Sequence, residues 1–179
     1  STVADARDLL IASALCKDPV IYIDDRWLYE QEDDLTPIVE LDLKNVKPQI
    51  SLEGSDLTIV ASGHSSYLAR QTAEKLSSNN IFPEIIDVRV LNPLYIKDVI
   101  HSVKKTRRLL VVDSGWSSAG FSAELIVKVV ENLEPGCLVS SPARVTLPDT
   151  PAPSSRALEK EYYSSVDDVA KAVKKILNK

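Results

Sequence analysis

Few residues of this chain are of the types that carry chemistry, and they lie far apart in the sequence. The 179 residues include two histidines, His64 and His101, and two cysteines, Cys16 and Cys137. No Cys-x-x-Cys or Cys/His spacing groups them, so we predict free thiols in a reducing compartment, with no metal site and no disulfide. With only two histidines and no Cys partner for them, a Ser-His-Asp or Cys-His system is poorly supplied. His101 falls within a predicted helix, where we predict a surface position.

The first candidate site is a turn made of Gly63, His64 and Ser65, between an apolar run and a helical pattern. Backbone N–H groups at the start of a helix attract anions, which makes this turn a candidate anion or interface site. Helix capping by Ser65 or Ser66 is the simpler interpretation. A hydrolase nucleophile at either serine is a third reading, but a nucleophile elbow needs glycine where Tyr67 stands.

The second candidate site is the segment Asp113-Ser-Gly-Trp-Ser-Ser-Ala-Gly-Phe-Ser-Ala-Glu124, directly after the apolar run Leu109-Leu-Val-Val112. This pattern is typical of a strand that ends in a small-residue turn and continues as a helix. Its glycines lack the G-x-G-x-x-G spacing of a dinucleotide site. We therefore predict a packing role, with three candidate subunit-interface residues, Trp116, Phe121 and Glu124.

Composition excludes several classes of protein. The net charge of −5 and a pI of about 5.1 do not favour binding to nucleic acid. No apolar run approaches the roughly 20 residues of a membrane span, and no secretory signal opens these residues. We expect a globular protein of the cytoplasm, or of the mitochondrial matrix in a eukaryote.

Apolar periodicity predicts helices and strands in alternation, and hence βαβ units in a mainly parallel sheet. Predicted helices cover residues 1–17, 65–78, 96–106, 119–133 and 165–177. Predicted strands cover residues 20–23, 57–61, 83–88 and 109–112, with extended segments at 138–139 and 144–146. In the first helix we predict an inward apolar stripe: Val3, Ala6, Leu9, Leu10 and Ala14.

Five segments form an ordered set of motifs. They are Ser1 to Ile23, Asp87-Val-Arg-Val-Leu-Asn-Pro-Leu94, Asp113-Ser-Gly-Trp116, Gly120 to Glu124, and Arg144-Val-Thr-Leu-Pro-Asp-Thr-Pro-Ala-Pro153. Together they resemble the β subunit of the E1 component of thiamine-diphosphate-dependent 2-oxo-acid dehydrogenases, such as those for pyruvate or branched-chain acids. More broadly, they resemble the transketolase C-terminal domain.

The resemblance implies an architecture. Residues 1–25 correspond to the tail end of a pyrimidine-binding domain, 26–50 to a linker, and 51–179 to a transketolase C-terminal-like domain. The implied fold is a three-layer α/β/α domain, whose mostly parallel five-stranded sheet contains one antiparallel strand.

The resemblance also implies a function. The complete enzymes use thiamine diphosphate and Mg to decarboxylate a 2-oxo acid oxidatively, and pass the acyl group to the lipoyl group of E2. The catalytic residues of the family have no counterpart at His64 or His101. We therefore assign no catalytic, cofactor-binding or metal residue, and we expect this chain to be inactive alone and to bind no cofactor alone.

The implied partners are an E1 α subunit or domain, a second β subunit, and the E2 subunit-binding domain. The resemblance places the C-terminal helix, Val166 to Leu177, and Lys179 near the E2 site. Two alternatives stay open: a free-standing α/β anion-binding or interaction module, and a fragment of a transketolase-type enzyme.

Overall fold

A computed structural model describes residues 1–34 and 36–178 of the chain. Its sheet contains five strands: β1 (Gln49–Leu52), β2 (Thr58–Ala61), β3 (Glu84–Asp87), β4 (Leu109–Trp116) and β5 (Ala143–Leu147). They lie in the order β1-β3-β2-β4-β5. Only the β1–β3 pair is antiparallel, and the three other pairs are parallel. The predicted mostly parallel sheet with one antiparallel strand is confirmed.

Helices cover both faces of this sheet. They are α1 (Val3–Leu15), α2 (His64–Ser77), α3 (Lys97–Thr106), α4 (Phe121–Glu131), α5 (Arg156–Tyr162) and α6 (Val166–Leu177), with a 3-10 turn at Arg26–Leu28. One apolar cluster joins α2 and α6 to the sheet, and a second joins α3 and α4 to the opposite face. The predicted three-layer arrangement is therefore confirmed.

Strand β2 shows how the sequence specifies this arrangement. All of its residues are buried, and Ile59 enters the α2/α6 cluster while Val60 enters the α3/α4 cluster. Successive side chains of a strand point to opposite faces, so a central strand covered on both faces is almost entirely apolar. The exception, Thr58, has its buried hydroxyl hydrogen bonded to Ser102 and Thr106. Ile59 and Val60 each contribute roughly 1.5–3 kcal/mol through burial.

The predicted inward stripe of α1 is wrong. The residues of α1 that are buried are Asp8, which is 5% exposed, and Ala12, whereas Leu10 is 52% exposed. Asp8 turns inward because its carboxylate accepts hydrogen bonds from Arg7 Nε at 2.7 Å and from the Val39 N–H at 3.3 Å. Thr2 does cap the helix, by accepting the N–H of residue 5 at 3.1 Å.

The predicted buried strand at residues 20–23 is also wrong. The segment belongs to no strand and is exposed, with Ile21 at 90% and Ile23 at 74%. A strand needs a partner for its backbone N–H and C=O groups, and among the described residues this segment has none. Its apolar residues therefore face outward.

Three further differences concern the ends of elements. Strand β4 continues through residues 113–116, which we predicted as a turn, because a shift in register between Val112 and Trp116 allows pairing with Leu147 to resume. Strand β1 and helix α5 were not predicted. Residues 138–139 form no strand, and the extended prediction at 144–146 corresponds to β5.

Candidate functional site

The two candidate turns lie where the connections of the sheet diverge. Strand β2 leads through α2 to β3 on one side, and α3 then leads across to β4 on the other side. In open α/β sheets, ligands bind at such a switch point, beyond the carboxyl ends of the strands. Ser65 Oγ and Ser114 Oγ lie 2.8 Å apart there, so the fold joins two turns that are far apart in the sequence.

The residue that precedes helix α2 is Gly63, and no side chain caps the helix there. The predicted capping by Ser65 or Ser66 is therefore not found. The N–H groups of both serines instead bond to the carbonyl groups of Ser62 and Gly63, each at 3.1 Å. Gly63 has a φ of 53°, which residues other than glycine rarely adopt. A Cβ at Gly63 would lie 3.9 Å from the Asp25 carboxylate. This negative charge disfavours the predicted anion site, because an anion would be repelled there.

His64 stands in a row of aromatic rings. Its ring centroid is 6.0 Å from that of Trp27 and 6.1 Å from that of Tyr67. The row continues from Trp27 to Tyr163 at 5.8 Å, and from Tyr163 to Tyr162 at 5.1 Å. These spacings are those of favourable aromatic pairs, so the geometry supports packing or an interface role for His64.

The arrangement does not resemble a hydrolase site. A nucleophile needs a base within hydrogen-bond reach, whereas the Ser65 hydroxyl is bonded to Ser114. The other histidine, His101, is exposed on α3, as the sequence predicts.

The turn after β4 is held by Asp113. Its carboxylate accepts the N–H groups of Gly115 and Ser122, each at 2.8 Å, and thereby caps the first turn of α4. A Cβ on Gly120 would lie 2.1 Å from the carbonyl oxygen of Trp116. Glycine is therefore required at position 120 for the close approach of two backbone segments.

A second carboxylate holds the outer part of this turn and was missed by the sequence analysis. Asp149 accepts hydrogen bonds from the Ser118 hydroxyl at 2.5 Å, from the Ser118 N–H at 3.2 Å and from the Ser117 hydroxyl at 3.2 Å. These bonds lower the pKa of Asp149 below its ordinary value, and the bond from the Ser118 hydroxyl has the largest effect. Arg144 donates to the Ser117 carbonyl at 2.8 Å. The only signal in the sequence is the position of Asp149 in the proline-rich motif.

The three predicted interface residues lie in different surroundings. The Trp116 ring is half exposed, and its indole N–H donates to the Tyr162 hydroxyl at 3.1 Å. Phe121 is partly buried against the α3/α4 cluster. Glu124 is exposed and pairs with Lys128 at 3.3 Å. Trp116 and Glu124 are thus available to a partner, and their interface role stays a prediction.

Most of the exposed large apolar side chains lie elsewhere, near the start of the chain. We call this set the N-terminal apolar surface, and its members lie between residues 10 and 52: Leu10, Leu15, Val20, Ile21, Tyr22, Ile23, Trp27, Tyr29, Ile38, Val39, Ile50 and Leu52. Exposed apolar side chains in such number favour an interaction surface. The sequence analysis missed it because exposure follows from the absence of a partner strand, which no local pattern reports.

Within residues 1–34 and 36–178, no three His, Cys, Asp or Glu side chains are grouped to hold a metal ion. Cys16 and Cys137 are free and partly buried. No helix in this described part of the chain has the length and apolarity to cross a bilayer.

Comparison with known proteins gives a consistent result. Residues 47–169 match the family described as "Transketolase, C-terminal domain". Pyruvate dehydrogenase E1 component subunit beta of Bacillus subtilis is 32% identical over 99% of this chain and 54% of its own length. The same subunit of Rickettsia bellii is 35% identical over 96% of this chain and 52% of its own length. The mitochondrial subunit of Ascaris suum is 34% identical over 97% of this chain and 49% of its own length. The chain therefore spans about half the length of these curated relatives.

Solved structures show the same fold. A split-gene transketolase, described as an inactive β4 tetramer, matches with a TM-score of 0.69 at 22% identity, over 82% of this chain and 46% of that chain. The 2-oxoglutarate:ferredoxin oxidoreductase from Magnetococcus marinus matches with a TM-score of 0.52 at 13% identity, over 75% and 20%. At these identities the likeness concerns the fold alone.

Proposed function

We propose that this chain, which belongs to the transketolase C-terminal domain family, forms the assembly portion of a pyruvate dehydrogenase E1 β-like subunit. In this proposal it supports subunit contacts and docking to E2. The complete enzyme performs the oxidative decarboxylation of a 2-oxo acid and the acyl transfer to lipoyl-E2, and the chain is inactive alone. The identities of 32–35% to E1 β subunits favour this reading over a fragment of a transketolase-type enzyme.

The N-terminal apolar surface carries this proposal. Burial of its side chains against another part of a protein would stabilise them, and residues 20–23 pair with no strand among the residues that the structure describes. We propose that residues 1–25 are the tail end of a pyrimidine-binding domain whose remainder covers this surface. Residues 26–50 would be the linker and 51–179 the C-terminal-like domain. The relatives, about twice as long as the match, have room for that remainder.

The cofactor belongs elsewhere in this proposal. The Mg that accompanies thiamine diphosphate needs several oxygen ligands, and the described residues offer no cluster of acidic side chains for it. The His64 ring packs near the rings of Trp27 and Tyr67. These residues do not fit the cofactor, so we place it in other parts of the complete enzyme.

The proposed partners are an E1 α subunit or domain, a second β subunit and the E2 subunit-binding domain. Exposed Trp116 and Glu124 support a subunit contact, and the exposed lysines of α6 offer a docking face. Lys179, predicted near the E2 site, lies outside the described residues. The proposed compartment is the cytoplasm, or the mitochondrial matrix in a eukaryote, and the Ascaris suum relative is described as mitochondrial.

Calorimetry tests the proposal directly. Thiamine diphosphate with Mg is titrated into the purified chain, first alone and then mixed with an E1 α subunit and the N-terminal half of an E1 β subunit. We expect no heat of binding with the chain alone and binding with the mixture. Micromolar binding by the chain alone would contradict the proposal.

A further inference from the structure

Arg89 occupies an unusual position at the end of β3. Its φ is 62°, in the left-handed region that residues other than glycine rarely adopt. Its backbone N–H donates to Asp87 Oδ1 at 3.2 Å. The chain therefore turns sharply after β3, and this turn sends the Arg89 side chain away from the path of the strand.

The Arg89 guanidinium bonds to two segments that are distant in the sequence. Nη1 lies 3.1 Å from Asp5 Oδ1 in α1. Nε and Nη2 donate to the Lys47 carbonyl at 3.2 and 2.5 Å. The Arg89 and Asp5 side chains are only 17% and 13% exposed, so solvent screens this pair less than a surface ion pair. Charge-assisted bonds of this kind are about twice as strong as neutral ones.

The segment after α1 is tied to the same helix. Arg7 donates to the carbonyl groups of Thr36 at 2.6 Å and Pro37 at 3.2 Å. Asp8 accepts the N–H of Val39. Hydrogen bonds thus join helix α1 to the start of residues 36–47. Arg89 bonds to Asp5 in α1 and to the Lys47 carbonyl group at the end of that segment.

Apolar packing of α1 is limited. Its buried residues are Asp8 and Ala12, and Val3, Leu9 and Ile11 are half-buried. Polar bonds add to this packing: Arg89 bonds to Asp5, Arg70 donates to the hydroxyl and carbonyl oxygens of Ser1 at 2.9 Å each, and the Ser1 ammonium pairs with Asp87.

We propose that Arg89 is a clamp that fixes α1 and residues 36–47 to the carboxyl edge of the sheet. It is a positioning residue, because it holds the N-terminal apolar surface in one orientation relative to the sheet. Residues 26–50 are predicted as a linker. On this account, residues 36–47 of that linker are held in place by hydrogen bonds. The clamp does not depend on which partner covers the apolar surface.

Hydrogen exchange of the free chain tests the clamp. In Arg89→Ala, we expect amides of residues 6–15 to exchange at least about tenfold faster, while those of α2 and β2 keep their protection. The milder variant Asp5→Asn removes the negative charge from one of the two attachments and keeps an oxygen acceptor there, while the Lys47 bonds remain, so it should accelerate the same amides by a smaller factor.

Arg107 provides a matched control. It also has a left-handed backbone, with φ 60°, and its guanidinium also bonds to carbonyl groups, those of Cys137 and Gly136, each at 3.1 Å. Arg107→Ala should accelerate exchange around residues 134–139 and leave α1 unchanged. The proposal is overturned if α1 keeps its protection in both Arg89→Ala and Asp5→Asn, or if Arg107→Ala exposes α1 equally. Because no partner is present, failure here leaves the proposed assembly function standing.

Discussion

The N–H of Ser122 donates a 2.8 Å hydrogen bond to Oδ2 of Asp113, nine residues earlier in the chain. The other oxygen of the same carboxylate accepts the N–H of Gly115. One side chain at the end of a buried strand thus closes the following turn and caps the next helix. This explains in physical terms why an acid stands at this point of the motif.

Removing this cap should destabilise the domain. We expect Asp113→Ala to lower the free energy of unfolding by about 1–2 kcal/mol, because two backbone donors lose their acceptor. Asp98 is a control, since it lies in the first turn of α3 without serving as its cap. Asp98→Ala should cost only a few tenths of a kcal/mol. Urea unfolding measures both, and equal losses would contradict the capping role.

A methyl group at Gly120 should also be costly. Its Cβ would meet the Trp116 carbonyl oxygen at 2.1 Å, and this backbone atom cannot move aside as a side chain could. We expect Gly120→Ala to destabilise the protein by roughly 1–3 kcal/mol. At Gly136 a Cβ would meet no atom within 4 Å, although φ is +80°, so Gly136→Ala measures backbone strain without a clash. Thermal unfolding should rank Gly120→Ala as the less stable variant, and the reverse order would refute the clash.

The Glu84–Lys105 pair should make stability depend on pH. Burial raises the pKa of Glu84, but hydrogen bonds from Lys105 and Ser102 lower it more, so the net pKa lies below its ordinary value of 4.5. A lowered pKa in the folded state stabilises the protein above the unfolded-state pKa. This contribution is lost as pH falls through the folded-state pKa.

Urea unfolding of Glu84→Gln between pH 7 and pH 3 measures this dependence. We expect the wild type to be more stable than the variant at pH 7, and the difference to shrink as pH falls below about 4.3. Glu134→Gln is the control, because that carboxylate is exposed and lies 4.0 Å from Lys104. Its difference from the wild type should stay near zero throughout. A Glu84→Gln difference that is constant over the range would contradict the ion-pair explanation.

Local pattern predicted most of the helices and strands after residue 51. The apolar runs at 57–61 and 109–112 identified two central strands because strands covered on both faces are mostly apolar. Strand β1 escaped prediction, since an edge strand that is partly exposed carries little apolar signal. The number of strands and the one antiparallel strand came from the family resemblance and not from periodicity, and the order of the strands was not predicted.

Pattern failed where distant partners decide the outcome. Helix α1 buries Asp8 and exposes Leu10 because Val39 and Arg7 satisfy the carboxylate. The contact of Ser65 with Ser114 joins the start of α2 to β4, and spacing in the sequence does not report it. The candidate turns were thus found from sequence, whereas their contact required the fold.

Docking of E2 needs a test other than truncation. Removing residues 173–179 would take away Val173 and Ile176, which are buried in the α2/α6 cluster, so any loss of binding would report unfolding. We propose instead Lys174→Glu with Lys175→Glu, two exposed positions of α6. If α6 docks E2, binding of the E2 subunit-binding domain should weaken at least about tenfold, because reversing two charges on a docking face disrupts its electrostatic complementarity with the partner.

A charge-matched control lies on the opposite face of the sheet. Lys97→Glu with Lys104→Glu makes the same change in net charge on exposed positions of α3. Calorimetry should show unchanged binding for this control, and circular dichroism should show all variants folded. Equal weakening in both double variants would indicate only long-range charge, and unchanged binding in the α6 variant would remove α6 from the docking site.

The N-terminal apolar surface should drive association of the isolated chain. Ile21 and Ile23 are its most exposed isoleucines, so they contribute almost nothing to folding, and their replacement should leave Tm unchanged. Ile21→Ser with Ile23→Ser should shift sedimentation-velocity profiles toward monomer, because apolar area is withdrawn from the contact. Val127→Ser with Val130→Ser makes a similar change on exposed positions of α4 and should leave the profiles as they are. A loss of association in the α4 variant alone would move the assembly surface to α4, and the assignment of residues 1–25 to a covered domain would then fail.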